Sequence, residues 1–387
     1  MVQEAVKYDY IVAGAGLSGS VYAREMAENG YKVLVLERRN HIAGNLYDER
    51  DEEGFIVHRD GPHTFHTSDE RVHEYVQRFA EWKDYTLRSE AMIDGISTPA
   101  PFNFKTIDQF YVPEKAEELK QALFAAYPSR KTVTVVELLD SPNAIIKAYA
   151  QMLFDKDYSL YTAKQWGIRP QDIDPSVLKR VPVRLDYEER YFTDTHEYLP
   201  IKTYTEFIGS ILNHPNIRVL TDIDILDYIT LDNAVHRIVF NEELHPAEKC
   251  TLVFTGAIDE LFAYQYGQLP YRSLRFEYKH PDVDSFQNAA IVAYPSAPDF
   301  TRVTEYTKLP YQKTNGKTIV AYEYPLQFKE GDDAEPYYPI PTEDSSKQYA
   351  KYKELADTFE NLVLCGRLAD YKYYNMDQAI AAVLKKV

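Results

Sequence analysis

Cysteine is almost missing from this chain: only Cys250 and Cys365 occur among 387 residues, far apart in sequence. Two distant thiols argue against a disulfide framework and fit a reducing compartment, so a cytoplasmic protein is expected. No apolar run approaches the ~20 residues that cross a bilayer. The N-terminal MVQEAVKYDY has no basic segment followed by an apolar one. Neither membrane insertion nor a signal peptide is therefore expected. Positive charge is also scarce: 43 Lys and Arg face 60 Asp and Glu, a net charge of −17. That balance argues against nucleic-acid binding. It also means that an anionic substrate would have to be held by local arginines, helix N-termini and backbone amides. No internal repeat or low-complexity linker is visible. His63 and His66 are three apart, but no ligand set with metal spacing accompanies them, so no metal is expected.

What the chain does have is a core and many tyrosines. Hydrophobic residues make up 45% and tyrosines number 33. Tyrosine suits flavin, uracil and sugar surfaces, and it suits core packing equally well. The length implies two or three domains at roughly 100–200 residues each.

The informative motif is near the start. Tyr8–Ala13 (YDYIVA) reads as a buried strand. Gly14, Gly16 and Gly19 follow, then an apolar-periodic helix through about Asn29, stopped by Gly30. Lys32–Glu37 (KVLVLE) is a second buried strand ending in an acid about 20 residues beyond the first glycine. In such a βαβ unit Gly14 permits the tight turn and Gly16 lets the backbone approach a pyrophosphate. Gly19 lets helix and strand pack closely. The helix N-terminus offers amides and a positive dipole end to the phosphates, and Glu37 accepts from ribose hydroxyls. The motif says dinucleotide. The following RRNHIAGN (Arg38–Asn45), with its second glycine at Gly44, favours FAD over NAD.

Further along, Asp69–Ala80 has helical spacing with Asp69 near the cap. Glu114–Ala126 is helical, and a helix through about Phe154 takes Pro142 in its first turn. Thr203–Leu212 looks helical and Cys250–Phe254 looks like a buried strand. Tyr191–Ile201, Leu274–Tyr278, Ala290–Ala293 and Thr318–Tyr322 are strand-like. The end mirrors the start: Leu362–Cys365, Gly366, a loop, and a helix from about Asn375. A discontinuous α/β nucleotide domain with helical and antiparallel insertions is expected.

Four other segments carry a resemblance. They are GPHTFHT (Gly61–Thr67), YTAKQWG (Tyr161–Gly167), KRVPVR (Lys179–Arg184) with RYF (Arg190–Phe192), and GRLADYKYYNMDQAI (Gly366–Ile380). With the N-terminal motif and Thr255–Phe276, they resemble the bacterial type of the UDP-galactopyranose mutase family. The resemblance implies an α/β fold with α+β insertions. A Rossmann-like FAD-binding domain would take residues 1–70, 203–257 and 345–387. A helical domain would take 71–84 and 105–182, and a twisted antiparallel sheet domain 85–104, 183–202 and 258–344. It implies an isomerase that interconverts UDP-galactopyranose and UDP-galactofuranose without net redox, in the cytoplasm, as a homodimer, for cell-wall polysaccharide synthesis. FAD would be active when reduced, its N5 attacking the anomeric carbon while UDP leaves. Such chemistry asks little of protein acids and bases, and no convincing carboxylate pair is visible.

The resemblance also assigns residues. Arg180 and Arg302 match two diphosphate-binding arginines, and His63 would stand by the flavin. Tyr161, Thr162 and Trp166 fall where the family surrounds the uridine. Tyr191, Tyr338 and Tyr373 would reach the diphosphate or sugar, and Asn103 the substrate cleft. FAD contacts would come from Gly14, Gly16, Ser18, Gly19, Glu37, Arg38, Gly44, Asn45 and His63, and from Gly366, Arg367, Tyr374, Asn375 and Met376. There are departures. Ala43 stands where the family usually has glycine, tolerable if φ stays negative. Phe104 and Lys105 alter the PFNFKT segment, and Asn375 replaces an acid beside the flavin. Two alternatives stay open: an FAD-dependent oxidoreductase of the amine-oxidase-like group, and a nucleotide-sugar mutase acting on a different sugar.

Overall fold

A computed structural model describes residues 6–166, 182–329 and 334–387, with the side chain of Trp166 outside the description. The chain divides into two compact units. One comprises 1–84, 194–273 and 327–387; the other comprises 85–193 and 274–326.

The first unit is built on a five-stranded sheet in which every pairing is parallel. Its order is Ile217–Leu220, Val33–Leu36, Tyr8–Ala13, Pro246–Phe254 and Leu362–Leu364. Parallel strands are covered on both faces and so read as continuous apolar runs. VLVL at 33–36 is fully buried. The helix Leu17–Glu28, ended by Asn29 and by Gly30 at φ 92°, joins Tyr8–Ala13 to Val33–Leu36. One core joins sheet and helices, from Ile11 and Leu36 through Leu252 and Phe254 to Tyr352 and Tyr371.

A small antiparallel sheet of Phe65–Thr67, His196–Pro200 and Trp82–Asp84 belongs to the same unit. The helix Glu70–Gln77 follows the first of these strands, its Asp69 cap accepting from the amides of Arg71 and Val72. Asp51–Gly54 forms the turn of a short hairpin, with Asp51 Oδ1 accepting from the amides of Glu53 and Phe55.

The second unit combines helices with a sheet. The helix expected to take Pro142 in its first turn begins later, at Ala144. Asn143 is the cap, accepting from the amides of Ile145 and Ile146, so Pro142 lies outside the helix. After Leu153 the chain makes a π-helical turn, Phe154–Tyr158, and continues as the helix Ser159–Trp166. The strands Arg302–Glu305, Val320–Gln327, Ile291–Ala293, Ser89–Ile93 and Ile96–Ala100 pair antiparallel, except that Ile291–Ala293 and Ser89–Ile93 run parallel. Among the described residues no helix is long and apolar enough to cross a membrane.

Candidate active site

In the first unit the glycine loop, the Arg38–Asn45 segment and the Gly366–Met376 segment line one cleft of about 230 Å³. Of the residues assigned above to FAD, Gly14, Gly16, Ser18, Gly19, Glu37, Arg38, Asn45, His63, Gly366, Arg367, Tyr374, Asn375 and Met376 all line it. Gly44 lies against the loop instead: a Cβ there would sit 3.0 Å from Gly16 Cα.

The cradle needs its glycines for separate reasons. A Cβ on Gly19 would collide with the Gly14 carbonyl oxygen, and one on Gly14, at φ +110°, would strike Thr255 Oγ1. Gly16 is open on the cleft side, where a Cβ would find nothing closer than Gly44 Cα at 3.7 Å. A pyrophosphate can therefore approach the backbone at Gly16. Glu37 is buried. Its Oε2 accepts from Ala15 N at 2.8 Å and its Oε1 from Arg39 N at 3.0 Å. Each carboxylate oxygen retains a lone pair for a ribose hydroxyl. Asn375 stands at the N-cap of the helix Met376–Val383, whose N-terminus thus faces the cleft. These features fit a dinucleotide with an unmodified adenosine ribose.

Ala43 does not meet the condition set for it. Its φ is +79°, in the left-handed region, and the side chain is fully buried. The cause lies in the turn: Ala43 N donates to Ala15 O at 2.9 Å, and Leu46 N closes back on Ala43 O at 2.9 Å. The pairing with the glycine loop holds an L-residue where glycine is normally preferred.

Behind His63 lies a buried histidine. His63 N–H donates to His58 Nδ1 at 3.0 Å. Burial pulls His58 down to about 4, although nearby Asp48 opposes this. A neutral ring is what an accepting Nδ1 requires. Asp48 itself receives the amides of Tyr204 and Thr205 at 2.7 and 2.8 Å.

A second cluster adjoins the cleft-lining Tyr337 and Tyr374 in sequence. Tyr338 and Tyr373 stack at 4.9 Å and 13°. Arg367 lies 4.4 Å from the Tyr338 ring centroid and Arg272 lies 4.7 Å from it. Arg367 donates to the carbonyls of Tyr337 and Tyr374 at 3.3 and 2.7 Å. Among the described residues neither arginine has a carboxylate partner, and Arg272 Nε is buried without a hydrogen-bond acceptor. By contrast Arg38 pairs with Glu335 and Glu260, and Arg39 with Glu335. Arg272, Arg39, Thr255 and Glu335 were not among the sequence candidates. Only Thr255-Gly256, closing the CTLVF strand, carries a readable signal.

In the second unit, Arg302 opens its strand and binds Glu323 through Nε and Nη2, at 2.7 and 2.6 Å. Glu323 is only 2% exposed on its side chain. Tyr161 and Thr162 lie half-buried on the helix Ser159–Trp166. Lys164 of the same helix donates to the carbonyls of Tyr294, Ala297 and Phe300 at 2.9, 2.6 and 2.7 Å. That loop leads directly into Arg302. Tyr191 is 37% exposed, and its amide donates to Leu87 O. Asn103 is a fully buried helix cap. It accepts from Lys105 N and donates to Glu188 O, both at 2.9 Å. Lys105 pairs with Glu189 at 3.0 Å. Arg180 and the Trp166 side chain lie outside the described residues.

Comparison with known proteins bears on the chain as a whole. Residues 156–373 match the family model described as UDP-galactopyranose mutase, and residues 12–79 match an NAD(P)-binding Rossmann-like domain. The chain is 36% identical to the UDP-galactopyranose mutase of Mycoplasma pneumoniae, over 98% of this chain and 95% of that protein. It is 33% identical to the dTDP-fucopyranose mutase of Escherichia coli, over 97% and 96% respectively. A crystal structure of a reduced UDP-galactopyranose mutase superposes with a TM-score of 0.72 at 16% identity, covering 99% of this chain and 93% of that one.

Proposed function

The chain belongs to the UDP-galactopyranose mutase family, and we propose that it interconverts UDP-galactopyranose and UDP-galactofuranose with FAD held in the first unit's cleft. Reduced FAD supplies a nucleophilic nitrogen for the anomeric carbon, and no net oxidation results. The protein's own part is to hold the dinucleotide and to receive the leaving diphosphate. Gly14, Gly16, Gly19 and the N-termini of the helices Leu17–Glu28 and Met376–Val383 take the cofactor's phosphates and flavin side. Glu37 takes the ribose. His63, held through its amide by His58, stands at the flavin.

The observation that carries the leaving-group assignment is the stack of Tyr338 on Tyr373, with Arg272 and Arg367 both against the Tyr338 ring. Two guanidiniums without carboxylate partners among the described residues, beside two phenols, offer charge and hydroxyl donors to a diphosphate. From the family resemblance we take Arg180 and Arg302 as diphosphate-binding arginines, Tyr161, Thr162 and Trp166 as uridine contacts, and Tyr191 as a diphosphate contact. Asn103, a buried helix cap, is taken as a substrate-cleft residue from the family resemblance. Homodimerisation, a cytoplasmic location and a part in cell-wall polysaccharide synthesis complete the reading, from the family resemblance and the cysteine usage.

The test is direct. Dithionite-reduced protein is incubated with UDP-galactofuranose and the products are separated chromatographically. UDP-galactopyranose forms with reduced flavin and hardly at all with oxidised flavin; no conversion in either state refutes the assignment. A second sugar is favoured by one finding, the equally full-length match to a dTDP-fucopyranose mutase. Running dTDP-fucopyranose in parallel decides between them by the ratio of kcat/KM. Oxygen consumption without isomerisation would instead mark an amine-oxidase-like enzyme.

A further inference from the structure

Three side chains scattered in sequence meet on one face of the first unit: Glu70, His73 and His196. One ligand atom from each lies within 4.8 Å of the others. Glu70 and His73 are three apart on the helix Glu70–Gln77, which puts them on one face. His196 begins the strand His196–Pro200 and pairs across to Thr67. Thr67 is tied to the helix start: its Oγ1 accepts from Asp69 N at 3.0 Å, and Asp69 caps the helix. The scaffold beneath all three residues is therefore regular backbone, not loop.

The side chains already touch. The two imidazoles stack at 3.7 Å and 8°. His196 Nε2 lies 3.0 Å from Glu70 Oε1. His73 Nδ1 lies 3.0 Å from the Tyr198 hydroxyl. Tyr198, two residues beyond His196, stands in the position of an outer partner that fixes a ligand ring and leaves Nε2 as the metal-facing nitrogen.

We propose that Glu70, His73 and His196 bind a divalent transition-metal ion of the zinc type. Two imidazoles and one carboxylate form a borderline donor set that suits Zn2+, Ni2+ or Cu2+ and disfavours Mg2+ and Ca2+. Around a tetrahedral zinc with bonds of about 2.0–2.1 Å, ligand atoms sit roughly 3.3 Å apart. Closing the present spacing to that takes reorientation of the two imidazoles. The stacked rings must open, because each nitrogen lone pair lies in its ring plane. The half-buried histidines and exposed carboxylate leave a fourth position for water. Bound there, the ion would pin the helix to the strand on the outer face, without entering the cofactor cleft. The site is independent of the proposed reaction.

The test uses the FAD-loaded full chain. Zn2+ is titrated against a chromophoric chelator, and Co2+ binding is followed by visible absorption. One Zn2+ per chain with a dissociation constant on the order of micromolar is expected. His73→Asn and His196→Asn should each weaken binding at least about tenfold, and Glu70→Gln by less. The flavin spectrum of each variant reports that it is folded. Absence of stoichiometric binding at roughly 100 μM Zn2+ overturns the proposal. So does binding that neither histidine substitution alters.

Discussion

Replacing Lys164 with methionine tests whether the YTAKQWG helix organises the hairpin that carries Arg302. Methionine keeps the length and apolar stem of lysine and removes only the ammonium. The carbonyls of Tyr294, Ala297 and Phe300 then each lose the ammonium donor, while Tyr294 O keeps the amide of Ala297 at 3.2 Å. A hydrogen bond to a charged group contributes about 1.5–3 kcal/mol when well enclosed. Lys164 is only half-buried and water can reach part of the loop, so about 1 kcal/mol for each of the three is the better figure. Against that sum of about 3 kcal/mol, the variant no longer desolvates an ammonium, which returns roughly 1 kcal/mol. The expected loss is about 2 kcal/mol in the free energy of urea unfolding, measured on FAD-loaded protein. Because the loop runs straight into Arg302, the KM for nucleotide sugar should rise as well. Unfolding within about 0.5 kcal/mol of wild type, with an unchanged KM, would refute the clasp.

Three other outcomes follow from the geometry. Gly19→Ala should yield protein that purifies without flavin absorbance, since its Cβ meets the rigid Gly14 carbonyl rather than a movable side chain. Stability should fall between pH 6.5 and 4, because the unfolded chain takes up a proton that buried His58 refuses in the folded state. His58→Asn, which preserves an acceptor for the His63 amide, should flatten that acid limb in urea midpoints; an unchanged limb would assign it to other groups. Arg302→Ala should cost about 3–5 kcal/mol of stability by stranding buried Glu323. The double variant Arg302→Ala/Glu323→Gln should regain the fold while turnover stays about 10²–10³ lower. Recovery of turnover along with the fold would make Arg302 a purely structural residue.

How legible a segment was depends on how its backbone is buried. The strands Tyr8–Ala13 and Val33–Leu36 announce themselves as apolar runs because they lie inside the sheet, and Leu362–Leu364, an edge strand only partly buried, does so as an apolar run followed by Gly366. Ile217–Leu220, at the edge of the same sheet, carries Arg218 and is only partly buried, so its four residues give no such run. The helix Glu343–Ala356 hides behind polar residues; its inner stripe is little more than Tyr352 and Ala356. The hairpin of Ser89–Ile93 and Ile96–Ala100 does have a signal, the Asp94-Gly95 turn with φ of 48° and 82°. At the cleft, glycine spacing and family motifs reach the residues whose backbone shapes the site. Arg272 and Arg39 escape because an arginine's pairing depends on partners distant in sequence. The Glu70, His73 and His196 cluster escapes for the same reason: its third member comes from a strand far along the chain.

The net charge of −17 poses a problem for an enzyme whose substrate is a dianion, and the distribution of arginine partners resolves it. Long-range repulsion fades over a Debye length of about 8 Å at physiological salt. What decides binding is therefore the charge within contact distance. Around the adenosine end of the cleft, Arg38 and Arg39 are matched by Glu260 and Glu335 and add little net positive potential. In the other unit Arg302 is matched by Glu323. At the Tyr338 and Tyr373 stack the cations are held by ring faces and carbonyl dipoles instead. Those contacts orient a guanidinium without cancelling its charge. Among the described residues no carboxylate pairs with Arg272 or Arg367, so an anion settling at this stack meets uncancelled positive charge despite the acidic balance of the chain.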